Sequence, residues 1–248
     1  EQGTLVFDHV TFFYPGAEEP ALSDVSFSAN PGEVTAVIGG TGSGKSTLVN
    51  LIPRFYDVTS GHILVNGANV QSVSQEELRS KIGFVPQKAL LFTGTIAENI
   101  RYGKADATAE EVVRAASIAQ ASDFIEKMPG RYESMIEQGG SNVSGGQKQR
   151  LSIARALVRK PDLYVFDDSF SALDYKTDAA LRKALKDETR TATVLIVAQR
   201  VSTIMDADRI IVLEEGKVAG IGTHEELFAN NAVYQEIVKS QLSEEEIA

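Results

Sequence analysis

Glu33-Val-Thr-Ala-Val-Ile-Gly-Gly-Thr-Gly-Ser-Gly-Lys-Ser-Thr47 is the stretch on which the fold turns. Glu33–Ile38 is a near-continuous apolar run of strand length, as a parallel strand buried on both faces requires. Glycines follow at once, and Lys45–Ile52, closed by Pro53, has helical length and composition. Strand, glycine loop and helix in that order open an α/β fold. Gly39, Gly40, Thr41, Gly42, Ser43, Gly44, Lys45 and Ser46 satisfy G-x-x-x-x-G-K-[ST] in full, in the context the motif needs, and Thr47 follows on the helix. Glycines let successive backbone N–H groups converge on phosphate oxygens, and the helix adds its positive end. Lys45 can reach β- and γ-phosphates, and the Ser46 hydroxyl can ligate Mg²⁺. The alternative is a chance glycine-rich turn. Average residue frequencies put such a match at roughly one in a hundred for a chain this long, before the flanking strand and helix are required.

Upstream, Thr4–Tyr14 and Leu22–Ala29 are rich in aromatic and β-branched residues and are broken by Pro15-Gly16 and Pro31-Gly32, so both read as strands. Gly61–Gly67 is a further short strand. From about Thr108 to Pro161 the pattern turns helical. Thr108-Ala-Glu-Glu111 is a capping box ahead of Val112, Val113, Ala116 and Ile118. Ser144-Gly-Gly-Gln147 can form a second, opening a helix that carries Leu151, Ile153, Ala154 and Leu157. Strand-like runs return at Leu163–Phe166, Val194–Ala198 and Arg209–Leu213, with Glu214-Glu-Gly216 as a hairpin turn. Glu225–Phe228 and Ala232–Gln241 read as terminal helices, and Glu244-Glu-Glu246 as a solvated tail. The expected organisation is a parallel-sheet core with an all-helical insertion of roughly 70 residues.

The composition narrows the function. The 248 residues, 43% hydrophobic and 23% charged, suit one compact domain, or one with a subdomain, that can bury a core. The net charge of −10 is the wrong sign for gripping a polyanionic backbone, so nucleic acid is not expected as a main partner. With no cysteine, disulfides, thiolate catalysis and cysteine-ligated zinc are excluded. The histidines show no ligand-spaced pair, and His62 and His224 read as surface residues. No apolar run approaches the ~18 residues of a membrane span. No signal-peptide pattern opens the chain, whose first residue is Glu1 rather than Met, as expected of a piece of a longer polypeptide or a processed end.

A second constellation lies at Leu163-Tyr-Val-Phe-Asp-Asp168, an apolar strand ending in two carboxylates. At a strand tip beside the phosphate loop, Asp167 can hold Mg²⁺ through water; the plain alternative is an acidic turn. Together with that loop and Asp167, Ser144-Gly145-Gly146-Gln147 resembles the signature of ATP-binding cassette (ABC) ATPases, over nearly the whole chain. In the same order come Tyr14, matching the adenine-stacking aromatic, Gln87 in Val85-Pro-Gln87, and Ser171-Ala-Leu-Asp174 after the acidic strand. Leu91-Phe-Thr-Gly-Thr-Ile-Ala-Glu-Asn-Ile100 resembles exporters rather than importers.

The resemblance implies a P-loop (RecA-like), mainly parallel sheet core with an antiparallel β subdomain, about 1–87 and 160–248. It also implies an inserted α-helical subdomain, about 88–159. It implies ATP and Mg²⁺ as ligands, with Ser46, Gln87 and Asp167 around the metal and Asp168, Gln199 and Gln87 in catalysis. Partners would be a second nucleotide-binding domain, paired head to tail, and a transmembrane domain, at the cytoplasmic face of the cell membrane. Without the family, Tyr14 reads as a packed strand aromatic and Gln87 as an ordinary loop residue.

Two positions depart from the family. Asp168 stands where a glutamate polarises the attacking water, and Gln199, in Val197-Ala-Gln-Arg200, replaces the switch histidine. A carboxylate one methylene short stops about 1 Å or more away, a misplacement that costs on the order of 100-fold. Gln199 can donate a hydrogen bond to a γ-phosphate but cannot carry the charge of an imidazolium. The signature, by contrast, is only mildly altered, with Val143 preceding an intact Ser144-Gly-Gly-Gln147. This asymmetry resembles the degenerate-site subunit of heterodimeric multidrug-type exporters. A homodimeric exporter domain with weak ATPase is the nearer alternative. A DNA-repair type ATPase would need a long coiled coil between Lys45 and Ser144, where no sustained heptads occur. A small-molecule kinase would leave the signature helix without a task.

Overall fold

The computed structural model describes residues 4–247. The chain forms β1 (Leu5–Phe12), β2 (Leu22–Ala29), β3 (Val34–Gly39), α1 (Lys45–Leu51), β4 (Ser60–Val65), β5 (Ala68–Asn69), α2 (Gln75–Ser80) and β6 (Ile82–Val85). Then come β7 (Gly94–Thr95), α3 (Ile96–Arg101), α4 (Ala109–Ile118), α5 (Ser122–Lys127), β8 (Met135–Ile136) and α6 (Gly145–Val158). It closes with β9 (Leu163–Asp167), α7 (Tyr175–Glu188), β10 (Thr193–Val197), α8 (Val201–Ile204), β11 (Arg209–Glu214), β12 (Lys217–Gly222), α9 (His224–Asn230) and α10 (Ala232–Ile247).

A six-stranded sheet runs β12-β11-β3-β10-β9-β6, parallel except for β12, which returns antiparallel at the edge. An antiparallel sheet runs β2-β1-β4-β5. The side-chain period of two divides the core into two layers. On β3, Ala36 and Ile38 join the core under α6 and α7, whereas Val37 joins α1 and the antiparallel sheet through Leu48, Leu51, Phe7 and Ile63. β11 divides the same way, Ile210 and Val212 against Ile211 and Leu213. Continuous apolar strands are what a sheet covered on both faces needs.

Both anticipated capping boxes form. Thr108 Oγ1 accepts from Glu111 N–H at 3.1 Å while the Glu111 carboxylate accepts from Thr108 N–H at 3.2 Å. A salt bridge from Lys104 at 2.7 Å and the Thr108 N–H hold the Glu111 carboxyl down at about 2. Ser144 and Gln147 pair likewise at 3.1 and 3.0 Å.

Within the helical insertion the structure departs from an all-helical reading: β7, just before α3, pairs antiparallel with β8, ahead of α6, Gly94 against Ile136 and Thr95 against Met135. Two-residue strands carry no periodicity to read. α10 runs past Gln241 to Ile247, so the backbone of Glu244-Glu-Glu246 is helical; the solvation of those side chains lies outside the described residues. His224 is half-buried, its Nδ1 2.5 Å from the hydroxyl of fully buried Tyr234. His62 is exposed. Among the described residues no helix is long and apolar enough to cross a membrane.

Thr35, on central strand β3, is fully buried and its hydroxyl has no hydrogen-bond partner. Such an orphan costs roughly 1–3 kcal/mol, and valine keeps the branched shape. Thr35→Val should therefore raise stability by about 1 kcal/mol. A higher urea midpoint at unchanged slope is the expected result, and a lower midpoint would contradict it.

Candidate functional site

Register brings the site together. Val197 pairs with Val37 on one side and Asp167 on the other, so β10 and β9 end in step and β3 runs on to Gly39 beside them. The glycine loop, Gln199 and the Asp167-Asp168 pair therefore emerge at one sheet edge, the carboxyl ends of parallel strands, where α/β folds bind ligands.

A cavity of about 910 Å³ opens there, lined by Tyr14, Gly40 to Thr47 and Gln199. Gly44, at φ +107 with an added Cβ only 2.8 Å from Leu22, admits no side chain and turns the loop into α1. Side chains at Gly40 and Gly42 would project into open space, so those glycines leave room beside the loop backbone. Lys45 is buried; its ammonium donates to the Gly39 and Gly40 carbonyls. Burial lowers its pKa, opposed by the charges of Asp168 and Asp167. Carbonyls hold the amine where an incoming anion could take it up.

Asp167 is pushed up to about 6 by burial and by the neighbouring Asp168, against Lys45. Burial also raises Asp168, opposed by the Gln199 N–H, Lys45 and Arg200. Asp168 sits at φ +47, a conformation aspartate tolerates better than most residues. Its carboxylate accepts from Gln87 Nε2 at 3.3 Å and from Gln199 N–H at 3.4 Å. Gln87 thus reaches the acidic pair, and its backbone carbonyl accepts from the Gln149 amide.

Ser46 hydroxyl, Asp167 carboxylate and Gln87 amide are all oxygen donors, the set that suits Mg²⁺. Among the described residues no group of three or more His, Cys, Asp or Glu could hold a metal alone. A metal here would have to be completed by phosphate and water oxygens, which is the usual mode for Mg²⁺.

Tyr14 lines the cavity near its mouth, edge-on to Phe12 and Tyr56, with its hydroxyl 2.7 Å from Thr47 Oγ1. Tyr14 thus packs against neighbouring aromatics and also lines the cavity. Ser144, Gly145, Gly146 and Gln147 do not line the cavity; they open α6, where Gly146 approaches the carbonyl of Ala172 in the loop after β9.

Sequence reasoning missed one wall. Glu19, Pro20, Ala21 and Ser23 and the β11–β12 turn, Glu215 to Lys217, also line the cavity. Gly216 N–H donates to the Ser43 carbonyl at 2.9 Å and its carbonyl accepts from Ser23 N–H at 2.8 Å. The turn was legible as a hairpin; nothing local says it braces the glycine loop.

Comparison with known proteins follows this geometry. The ABC transporter family model matches residues 22–171. An uncharacterized ABC transporter ATP-binding protein of Bacillus subtilis (YfiB) is 49% identical over 98% of this chain and 42% of its own length. A Staphylococcus aureus protein, named provisionally for multidrug export as an ATP-binding/permease protein, is 46% identical over 97% of this chain and 42% of its own. A solved bacterial Atm1-family ABC exporter with ATP bound superposes with a TM-score of 0.92 at 38% identity, covering 96% of this chain and 42% of that one. The chain belongs to the ABC transporter family as a nucleotide-binding domain with the mixed α/β P-loop fold. It spans about two-fifths of the length of these relatives.

Gly216 tests the bracing wall. Its φ is +77, and an added Cβ would lie 2.5 Å from the Ala21 carbonyl. Gly216→Ala should shift the turn and with it Ser43, weakening MgATP binding by about tenfold, or ~1.4 kcal/mol, with the fold retained. Calorimetry beside circular dichroism reads both; unchanged affinity would remove this wall from the site.

Proposed function

We propose that the chain is the ATP-binding domain of an ABC exporter, acting at the cytoplasmic face of the cell membrane through a transmembrane domain of the same or an associated chain. Its organisation is a core of about 1–87 and 160–248 with the β subdomain, and a helical subdomain of about 88–159 carrying the signature. Domains of this family are ATPases generally. Lys45 and the loop N–H groups take the phosphates, Ser46, Gln87 and Asp167 surround Mg²⁺, and Tyr14 meets the adenine. Mg²⁺, when bound, neutralises charge on the phosphates.

The observation that carries the reading is the separation of the two halves of a nucleotide site within one chain. The cavity is walled by the glycine loop but not by Ser144 to Gln147, which lie at the exposed start of α6. Free N–H groups at a helix start suit an anion, and a γ-phosphate would have to come from a second domain. Ser144, Gly145, Gly146 and Gln147 then serve the partner's nucleotide.

The second domain is a different subunit, and this chain's own site is degenerate and slow. Support comes from Asp168 and Gln199. The Asp168 carboxylate is short, buried and engaged by the Gln87 amide and the Gln199 N–H. Gln199 lines the cavity with a neutral amide. Neither feature opposes binding.

Lys45→Ala should abolish MgATP binding in calorimetry; unchanged affinity would overturn the phosphate-loop assignment. The division of labour is tested by steady-state ATPase of the full heterodimer with one subunit altered at a time. A degenerate site about 100-fold slow corresponds to ~2.7 kcal/mol of lost transition-state stabilisation. Asp168→Glu with Gln199→His should restore more turnover than Asp168→Glu alone. Ser144→Ala or Gly145→Ala should instead depress hydrolysis at the partner's site. If Asp168→Ala stopped turnover as completely as removing the partner's corresponding carboxylate, the degenerate reading would fail.

A further inference from the structure

The segment carrying Gln199 is fastened from several directions. Gln199 N–H donates to the Asp168 carboxylate at 3.4 Å. Arg200 donates to the carbonyls of Phe170 at 2.7 Å and Leu173 at 3.0 Å, and to the buried Asp178 carboxylate at 2.6 Å. The remaining backbone groups are held by a residue near the far end of the chain. Gln241 Oε1 accepts from Val201 N–H at 2.7 Å, and Gln241 Nε2 donates to the Gln199 carbonyl at 2.5 Å.

Helical spacing explains how Gln241 gets there. Tyr234, Val238 and Gln241 follow one another at four and three residues, so they share one face of α10. Tyr234 is fully buried and Val238 is 4% exposed, both in the core beneath the parallel sheet. The next position on an inward face ordinarily takes an apolar residue. Here it is an amide, and it satisfies one backbone acceptor and one backbone donor that flank Arg200. A carboxamide offers both at once from separate atoms at the end of one side chain, whereas a carboxylate lacks the donor and an alkyl group lacks both.

We propose that Gln241 is a positioning residue for the nucleotide site, by which α10 sets the backbone on which Gln199 faces the γ-phosphate position. It touches neither nucleotide nor metal and acts only through the 199–201 backbone. This rests on the reading of Gln199 as the switch residue. Among the described residues the hydrogen bonds of the Gln241 side chain go to Val201 and Gln199 and not to the glycine loop, so nucleotide affinity is spared while the hydrolytic step responds.

The test uses the complete transporter, with the second domain's phosphate-loop lysine substituted so that single-turnover hydrolysis reports this chain's site. Gln241→Ala should speed amide hydrogen exchange at Val201 and lower the single-turnover rate three- to tenfold. The Kd for MgATP should stay within twofold. Gln241→Glu, which keeps the acceptor for Val201 but loses the donor to Gln199, should fall between wild type and Gln241→Ala. In a Gln199→Ala background, Gln241→Ala should change the rate by less than about 1.5-fold, because the group it positions is gone. Unchanged exchange at Val201, an affinity loss matching the rate loss, or the full rate loss recurring in the Gln199→Ala background would each overturn the proposal. If wild type bound no MgATP, the functional reading would fall and this proposal with it. Sound wild-type turnover unaffected by Gln241→Ala would overturn the proposal alone.

Discussion

The parallel pairing of β3, β10 and β9 is the constraint on which the site depends. These strands lie in register, Val37 beside Val197 beside Asp167. The glycine loop, the Gln199 segment and the acidic pair have no sequence proximity and meet only because of that register. A slip of one residue would turn Ala36 and Ile38 toward the layer that Val37 occupies, and every strand contact in both cores opposes it. The chemistry can therefore sit on loops and still be precisely held, since the strands beneath are buried on both faces.

Above the strands, the loops hold one another through backbone groups. Ser43 is tied to the β11–β12 turn, Asp168 to the Gln199 N–H, and Phe170 and Leu173 to Arg200. Asp178 anchors the last of these. It is 1% exposed and accepts from Arg182, Arg200 and Thr203 at 2.7, 2.6 and 2.8 Å. A buried carboxylate is tolerable only when so satisfied. Because Arg200 serves both Asp178 and the loop after β9, that loop and the Gln199 segment cannot move independently. The loop in turn borders Gly146 at the start of α6. Side-chain and backbone contacts thus run from the cavity to the start of α6 within one chain.

Most of the fold was legible because its signals are local. The glycine loop, the apolar strands and both capping boxes lie within short windows, and β2 matches its anticipated span to the residue. α7 was open to reading and was missed: Asp174 caps it, accepting from Thr177 N–H at 2.7 Å, and Leu181 and Leu185 mark its inward face. The wall formed by Glu215, Gly216 and Lys217 is different, since a hairpin turn far along the chain gives no local hint of what it will rest against. The same is true of Gln241, whose partners lie about forty residues away. The expected roles of Gln87 and Tyr14 rest on family resemblance, since their neighbours in sequence carry no signal of them.

The two departures at the site share a structural logic. Asp168 follows the strand directly, at φ +47, with its backbone N–H bonded to the Val197 carbonyl at 2.7 Å and its carboxylate turned to Gln87 and the Gln199 N–H. The short carboxylate thereby takes one side-chain donor and one backbone donor. Gln199, meanwhile, is held by its backbone at both N–H and carbonyl, which frees its side chain from any structural duty. Changes at these positions therefore leave the glycine loop, the α6 capping box and the contact of Gly146 with Ala172 untouched. A change at either position is one this architecture can absorb without loss of fold.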